Sequence, residues 1–584
     1  MTTPAPVPRT LGAKIRLYGL LFLLGGVVTN IIFFHITAPR EPDVELPTPG
    51  EIVFDGETAT MAHSRLERRD GYWFFAHKGD ALTMGVEHAA LGGFMTQRIE
   101  RLMFEDMERR APAVVRFVLP GVLMWEYRHM ADHVSDPRIE EMWGFAKTYD
   151  DPRPFPLNSY RRGLYYHALH DITQELVGNP WVDPGIAGAC TGFAASGSAT
   201  TDGHLIVGRN FDFEVLPIFD REKVVHLYAR RGTIPMLSVS WMAMFGVLTG
   251  INAEGIWLSI NSARSEGKNR KGPPIALLGR EILEHSASIE DARRILAATD
   301  PMVSDIYLVG DGKTGEVVAF ERGQTRMDER ALVNGRMAVS NHLLTDTYAG
   351  DDGDAAMRQW TTTLARGLRM QELVDEAPLS IERGVEILRD RRGPGGRPLA
   401  PGNRNAVDAL IASHSVVADA TERVIWVSTS PHTQGMYRAI DLFEELEKAG
   451  IDPSPWRPEA PVGPTLEPPV DIPEGDLLAD DAAGWHRLER YRSFLDDAEA
   501  YLEADRPDLA LRSAERASAM EPLSASAMYY QGAAHRDAGR TKQARAAFTA
   551  YLERYPPFGP MYGRVIKWME ENGGVPDVSR PDVR

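Results

Sequence analysis

Cys190 is the only cysteine in a chain of 584 residues. It stands among small neighbours, Gly188 and Ala189 before it and Thr191 and Gly192 after it. Nineteen positions on comes Arg209, and then Asn210, Phe211 and Asp212. These types can do nucleophilic chemistry. The thiolate rather than the thiol attacks, and a nearby cation lowers a thiol's pKa. Arg209 is a permanent cation, and Asp212 can orient an amine or balance the arginine. A lone cysteine is more often a small buried hydrophobe, so its surroundings must decide.

Those surroundings read as a β-hairpin. Thr201-Asp202-Gly203 has turn composition, and the apolar run His204 to Val207 follows it. Such a hairpin places the thiol on one strand beside Arg209 and Asp212 on the next.

Composition narrows the function classes. The net charge of −18 argues against a nucleic-acid partner held by phosphate neutralisation. One cysteine excludes an internal disulfide framework and a cysteine-built zinc site. Sixteen histidines are scattered without HExxH or comparable ligand spacing. His167, His170 and Asp171 share a stretch with no second cluster, which favours a structural role over a metal site. A hydrophobic content of 43% is ordinary for a globular chain, and the length allows several domains.

Cys190-Thr191, a turn at Asp202-Gly203 and then Arg209-Asn210-Phe211-Asp212 resemble the cysteine-type N-terminal nucleophile (Ntn) hydrolases. That group includes choloylglycine hydrolases, penicillin V acylase and acid ceramidase. The sequence is most similar to its acyl-CoA:6-aminopenicillanate acyltransferase branch, peptidase family C45. The resemblance implies a precursor cut between Ala189 and Cys190, leaving Cys190 at a new chain start. It implies an amidohydrolase or acyltransferase acting on an N-acyl amide, small molecule or lipid, with no metal or organic cofactor. Arg209 would stabilise the thiolate. Val247–Ile251, the turn Asn252–Gly255 and the strand ending at Asn261 resemble the family segment whose asparagine donates to the oxyanion, a donor of order ~3 kcal/mol. Met337–His342 resembles the segment that supplies a second asparagine, here Asn341, which with Asp212 would position the amine. Arg404 stands nearest the place of a late second arginine. Two rivals are a phospholipase B-like ester hydrolase and an inactive tethered adaptor that binds a protein through its C-terminal helices.

The elements that must hold these groups follow in order. Leu17 to Ile36 carries no Asp, Glu, Lys or Arg over 20 positions, with Arg9, Lys14 and Arg16 before it and Glu41, Asp43 and Glu45 after it. This predicts a single-pass membrane anchor, residues 1–38, with the body on the extracytoplasmic side. Residues 39–60 read as a linker. Residues 61–189 carry helical patterns, which the resemblance makes a pro-region retained as a light chain. Residues 190–450 run strands, then helices, then strands, as an α+β fold does; the resemblance makes this a four-layer αββα sandwich, the Ntn-hydrolase core. Residues 451–475 hold eight prolines, an extended linker. In residues 476–584, Ala498 and Gly532, Ala510 and Ala544, and Pro522 and Pro556 stand 34 apart. That spacing resembles tetratricopeptide repeats, an all-α helical-repeat domain.

Overall fold

The structure is a computed structural model; it describes residues 32–174, 189–213, 216–267, 272–457 and 469–578. Two β-sheets stack face to face. The larger has eleven strands, from Val53–Asp55 at one edge to Met327–Ala331 at the other. Its neighbours are antiparallel except where Tyr72–Gly79 runs parallel to Val224–Arg230, in the register Trp73 to Val224. The smaller sheet has six antiparallel strands in the order Arg336–Val339, Thr191–Gly197, Gly203–Phe211, His414–Asp419, Val424–Ser428 and Tyr437–Asp441.

Alternation along each strand sorts its side chains into two cores. Leu205 and Val207 meet Phe74, Leu237, Trp257 and Leu308 between the sheets. Their neighbours Phe193 and Ile206 point the other way, onto Met370, Leu373, Val385 and Leu388. Those last four sit on the helices Thr363–Asp375 and Ile381–Leu388. The outer face of the larger sheet is covered by the helices Ala81–Arg110, Asp136–Thr148, Ile275–His285 and Ile289–Ala297. The layers are therefore helix, sheet, sheet, helix.

The segment before Cys190 is more than a helical appendage. Ser64–Arg69 and Tyr72–Gly79 are strands of the larger sheet, and the stretch read as a linker contributes a small hairpin, Val53–Asp55 with Thr58–Thr60. The helix Asp136–Thr148 is fastened by a buried ion network. Arg138 donates to Glu141 and, at 3.0 Å, to Glu284, which also accepts from Arg280 at 2.7 Å and Arg230 at 2.7 Å.

The expected membrane anchor is corrected. Among the described residues no helix is long and apolar enough to cross a membrane, so the single-pass, extracytoplasmic placement built on Leu17 to Ile36 loses its support. Residues 17–31 lie outside the described residues. The part that is described, a short helix over residues 32–36, leads straight into contacts with the protein body. Arg161 Nη2 donates to the Phe34 carbonyl at 2.9 Å, the Phe33 ring lies 6.5 Å from that of Trp125, and Tyr160 donates to the Arg40 carbonyl at 2.6 Å. Apolar length raises the expectation of a span, but an apolar segment can also end against protein.

Among the described residues after 478 there are five helices, Ala479–Glu503, Pro507–Met520, Ala525–Asp537, Thr541–Glu553 and Pro560–Glu571. Small residues let them approach. Ala498, Ala514 and Ala544 are fully buried, and a Cβ on Gly532 would lie 2.4 Å from the Phe548 ring. The bundle docks on the sandwich: Arg492 donates to the Leu410 carbonyl at 2.9 Å, Asn405 donates to the Tyr555 carbonyl at 3.0 Å, and Leu410 packs with Leu488 and Tyr491.

Candidate active site

The hairpin forms as its residues require. Gly203 takes φ +86° in the turn, a conformation that side chains other than glycine resist. Gly208 lies where a Cβ would stand 2.6 Å from the Phe193 ring, so the two strands can close. Gly192 pairs with Arg209 and Thr191 with Asn210. Because side chains alternate, Arg209 falls on the same inter-sheet face as Leu205 and Val207. Cys190, two residues before Gly192, points to that face at the end of the sandwich.

Cys190 is fully buried, and Arg209, Asp212 and Arg366 act on it. The Ala189 N–H donates to the Asp212 carbonyl at 2.9 Å, which sets the Asp212 backbone beside Cys190. Arg209 sends Nη1 across to the larger sheet, to Leu248 O at 2.8 Å and Thr249 Oγ1 at 3.0 Å, and its charge acts on the thiol. Burial raises the thiol's pKa; the Arg209 charge opposes that rise and the Asp212 carboxyl adds to it. Burial likewise pushes Asp212 up to about 7, against the pull of Arg404 and Arg366. Asp212 Oδ2 and Arg209 Nε and Nη2 are buried with no nitrogen or oxygen partner among the described residues. Unpaired buried groups of this kind are costly.

The remaining candidates divide. Asn341 follows the edge strand Arg336–Val339, whose Val339 pairs with Gly192. Its Nδ2 donates to Ser262 O at 2.8 Å, and its Oδ1 accepts from Arg366 Nη2 at 2.8 Å. Asn261, on the strand Ile256–Ser262, is buried and donates to the Ser340 carbonyl at 3.0 Å. It is thus joined to the Asn341 segment rather than directly to the sulfur. Arg404 acts on the site through its charge on Asp212.

Arg366 is the residue the sequence reading missed. It donates from Nη1 to both Cys190 O and Thr191 Oγ1 at 2.8 Å while Nη2 holds Asn341. The available signal was an arginine on the buried face of a helix, in step with Met370 and Leu373.

Two cavities meet at Phe213, the residue after Asp212. One is a narrow apolar cleft of about 80 Å³ lined by Phe211, Phe213, Trp241 and Leu248. The other is a chamber of about 640 Å³ with mixed polar and apolar walls that shares Phe213 and includes Arg404. Among the described residues the group with metal-ligand geometry is Asp202, His204 and Asp419, at the far end of the hairpin from Cys190.

The family described as acyl-coenzyme A:6-aminopenicillanic acid acyl-transferase matches residues 198–427, and a tetratricopeptide repeat matches residues 495–557. The first match begins after Cys190. An uncharacterised protein of Archaeoglobus fulgidus is 23% identical over 267 residues; the match covers 42% of this chain and 42% of that protein. Similar solved structures include a Caenorhabditis elegans N-acylethanolamine-hydrolyzing acid amidase orthologue, 20% identical, covering 40% of this chain and 93% of that one, TM-score 0.30. A conjugated bile acid hydrolase mutant from Clostridium perfringens is 14% identical, with coverages of 44% and 93% and TM-score 0.32. Penicillin V acylase from Agrobacterium tumefaciens is 16% identical, with coverages of 43% and 86% and TM-score 0.28. The chain carries an Ntn-hydrolase domain of the acyl-coenzyme A:6-aminopenicillanic acid acyl-transferase type, followed by tetratricopeptide repeats.

Proposed function

We propose that Cys190 is the nucleophile of an N-acyl amide hydrolase or acyltransferase that first cuts its own chain. The thiol attacks the Ala189 carbonyl carbon, the Cys190 peptide nitrogen leaves carrying the proton, and an ester of the sulfur replaces the amide. Water then releases the Ala189 carboxylate and leaves Cys190 with a free α-amine and a free thiol. That amine, with a reference pKa near ~7.7, takes the thiol proton. The thiolate attacks the substrate carbonyl, the substrate's amine departs with the proton, and water or a second amine resolves the thioester.

One observation carries this reading: the unpaired oxygen of Asp212 and the unpaired nitrogens of Arg209 gather around one buried sulfur. An ammonium created at Cys190 would give the Asp212 oxygen a donor, and a thiolate would give the Arg209 nitrogens an acceptor. Arg366 holds the Cys190 carbonyl and Asn341 in place, and Asn261 is assigned the oxyanion donor's role on the resemblance alone. The acyl chain is assigned to the apolar cleft beside Phe211 and Leu248. Turnover of an N-acyl amide by the wild type and by Cys190→Ala tests the nucleophile. The expected result is complete loss in the variant; retained turnover would sink the reading.

A further inference from the structure

We infer that His414 is a positioning residue for the nucleophile: through the Thr249 hydroxyl it fixes the Arg209 guanidinium whose charge acts on Cys190. The inference deepens the Cys190 reading and rests on it. Three side chains form a line of hydrogen bonds that joins the two sheets. Arg209 Nη1 donates to Thr249 Oγ1 at 3.0 Å, and Thr249 Oγ1 meets His414 Nε2 at 2.8 Å. All three residues are fully buried. His414 opens the strand His414–Asp419 and pairs there with Phe211, two residues after Arg209. Its ring stacks on that of Phe211, with centroids 4.9 Å and planes 5° apart, and the Arg209 guanidinium lies over the same ring at 4.9 Å.

Donor counting fixes the direction of that line. The Thr249 hydroxyl has one hydrogen and already accepts from Arg209. When it donates to His414 Nε2, the one orphan is the Nδ1–H, and His414 Nδ1 is buried with no nitrogen or oxygen partner among the described residues. The opposite tautomer orphans both the Nδ1 lone pair and the hydroxyl hydrogen, and each buried orphan is costly. Burial, with the Arg209 and Lys223 charges, holds the imidazole well below the ordinary histidine pKa, so it stays neutral and able to accept. Donation to His414 polarises the hydroxyl and makes it a stronger acceptor for Arg209. Nη1 is then held by Thr249 and Leu248. Nε and Nη2, with no nitrogen or oxygen partner among the described residues, remain for a thiolate.

Cys190 is the only cysteine, so iodoacetamide labelling of the full chain, read as intact mass across a pH series with Cys190→Ala as the blank, reports its thiolate alone. His414→Phe keeps a ring on Phe211 and removes the acceptor; Thr249→Val removes the hydroxyl. Each should label about 10-fold more slowly than wild type near neutral pH, and the rates should converge in alkali, where the thiol is ionised in every chain. His414→Gln, whose side-chain oxygen can accept, should recover part of the loss. The double variant should label like either single one, because His414 acts through Thr249. A wild-type rate in His414→Phe, a loss equal at every pH, or losses that multiply in the double variant would overturn the positioning role. If His414→Phe does not fold, Thr249→Val carries the test, and a wild-type rate in it likewise overturns the role. No label on wild-type Cys190 at any pH would instead overturn the nucleophile on which that role depends.

Discussion

Arg366 shows how much of the site one side chain can organise. Its guanidinium joins the nucleophile's carbonyl, the neighbouring threonine and Asn341 in a buried setting where burial lowers its own pKa to about 10. Arg366→Leu removes those donors and strands their acceptors, a cost of about 3 kcal/mol in melting experiments, with a loss of turnover at least as large. Lysine cannot restore it, because a single ammonium cannot span three acceptors arranged for a planar fork. Asp212 gives a pH signature. Its pKa is raised by burial to about 7, so the fold favours the neutral acid. The stability this confers is complete below the ordinary carboxyl range and is lost as pH rises through about 7. In a Cys190→Ala background, stability should fall by roughly 1.4 kcal/mol per pH unit between about 4 and about 7 relative to Asp212→Asn. Parallel pH dependence of the two chains would contradict this. Cys190, Arg209 and Asp212 were legible as neighbours because one hairpin's register brings them together across some 20 residues. Arg366 was not, because it reaches Cys190 from 176 positions away through tertiary packing.

At the scale of elements, the alternating strands after Cys190 were readable, since each keeps one face toward the inter-sheet core. Tyr72–Gly79 escaped notice because a short apolar run such as Trp73 to Ala76 does not separate strand from buried helix, and its parallel partner Val224–Arg230 lies some 150 residues on. The helices flanking the larger sheet depend on Glu284, which accepts from Arg138, Arg280 and Arg230. Neighbouring cations hold its carboxyl well below the usual range despite burial. Glu284→Ala leaves three guanidiniums without their shared partner and should cost about 3–5 kcal/mol, read as a large drop in melting temperature; a drop within 1 °C would show the network to be dispensable. The repeats were legible from their 34-residue spacing, because close helix crossings demand small residues at fixed intervals. Where they dock was not, since Leu410 and Tyr555 carry no sequence sign of being an interface.

For the molecule as a whole, the bond between Ala189 and Cys190 divides segments that are interleaved in space. The part before it supplies strands within the larger sheet and the Arg138 side of the ion network; the part after it supplies the smaller sheet, the rest of the larger one and the repeats. A cut there leaves both pieces in one folded body. Of the apolar N-terminal stretch the described residues 32–36 meet the protein body, a contact that hydrophobic length does not foretell. The most direct test is the intact mass of the purified protein, measured under denaturing conditions. The account predicts two polypeptides that co-purify when native, the larger beginning at Cys190, and a single uncut chain for Cys190→Ala. A wild-type chain that turns over substrate while remaining whole, or a Cys190→Ala chain that is still cut, would contradict it.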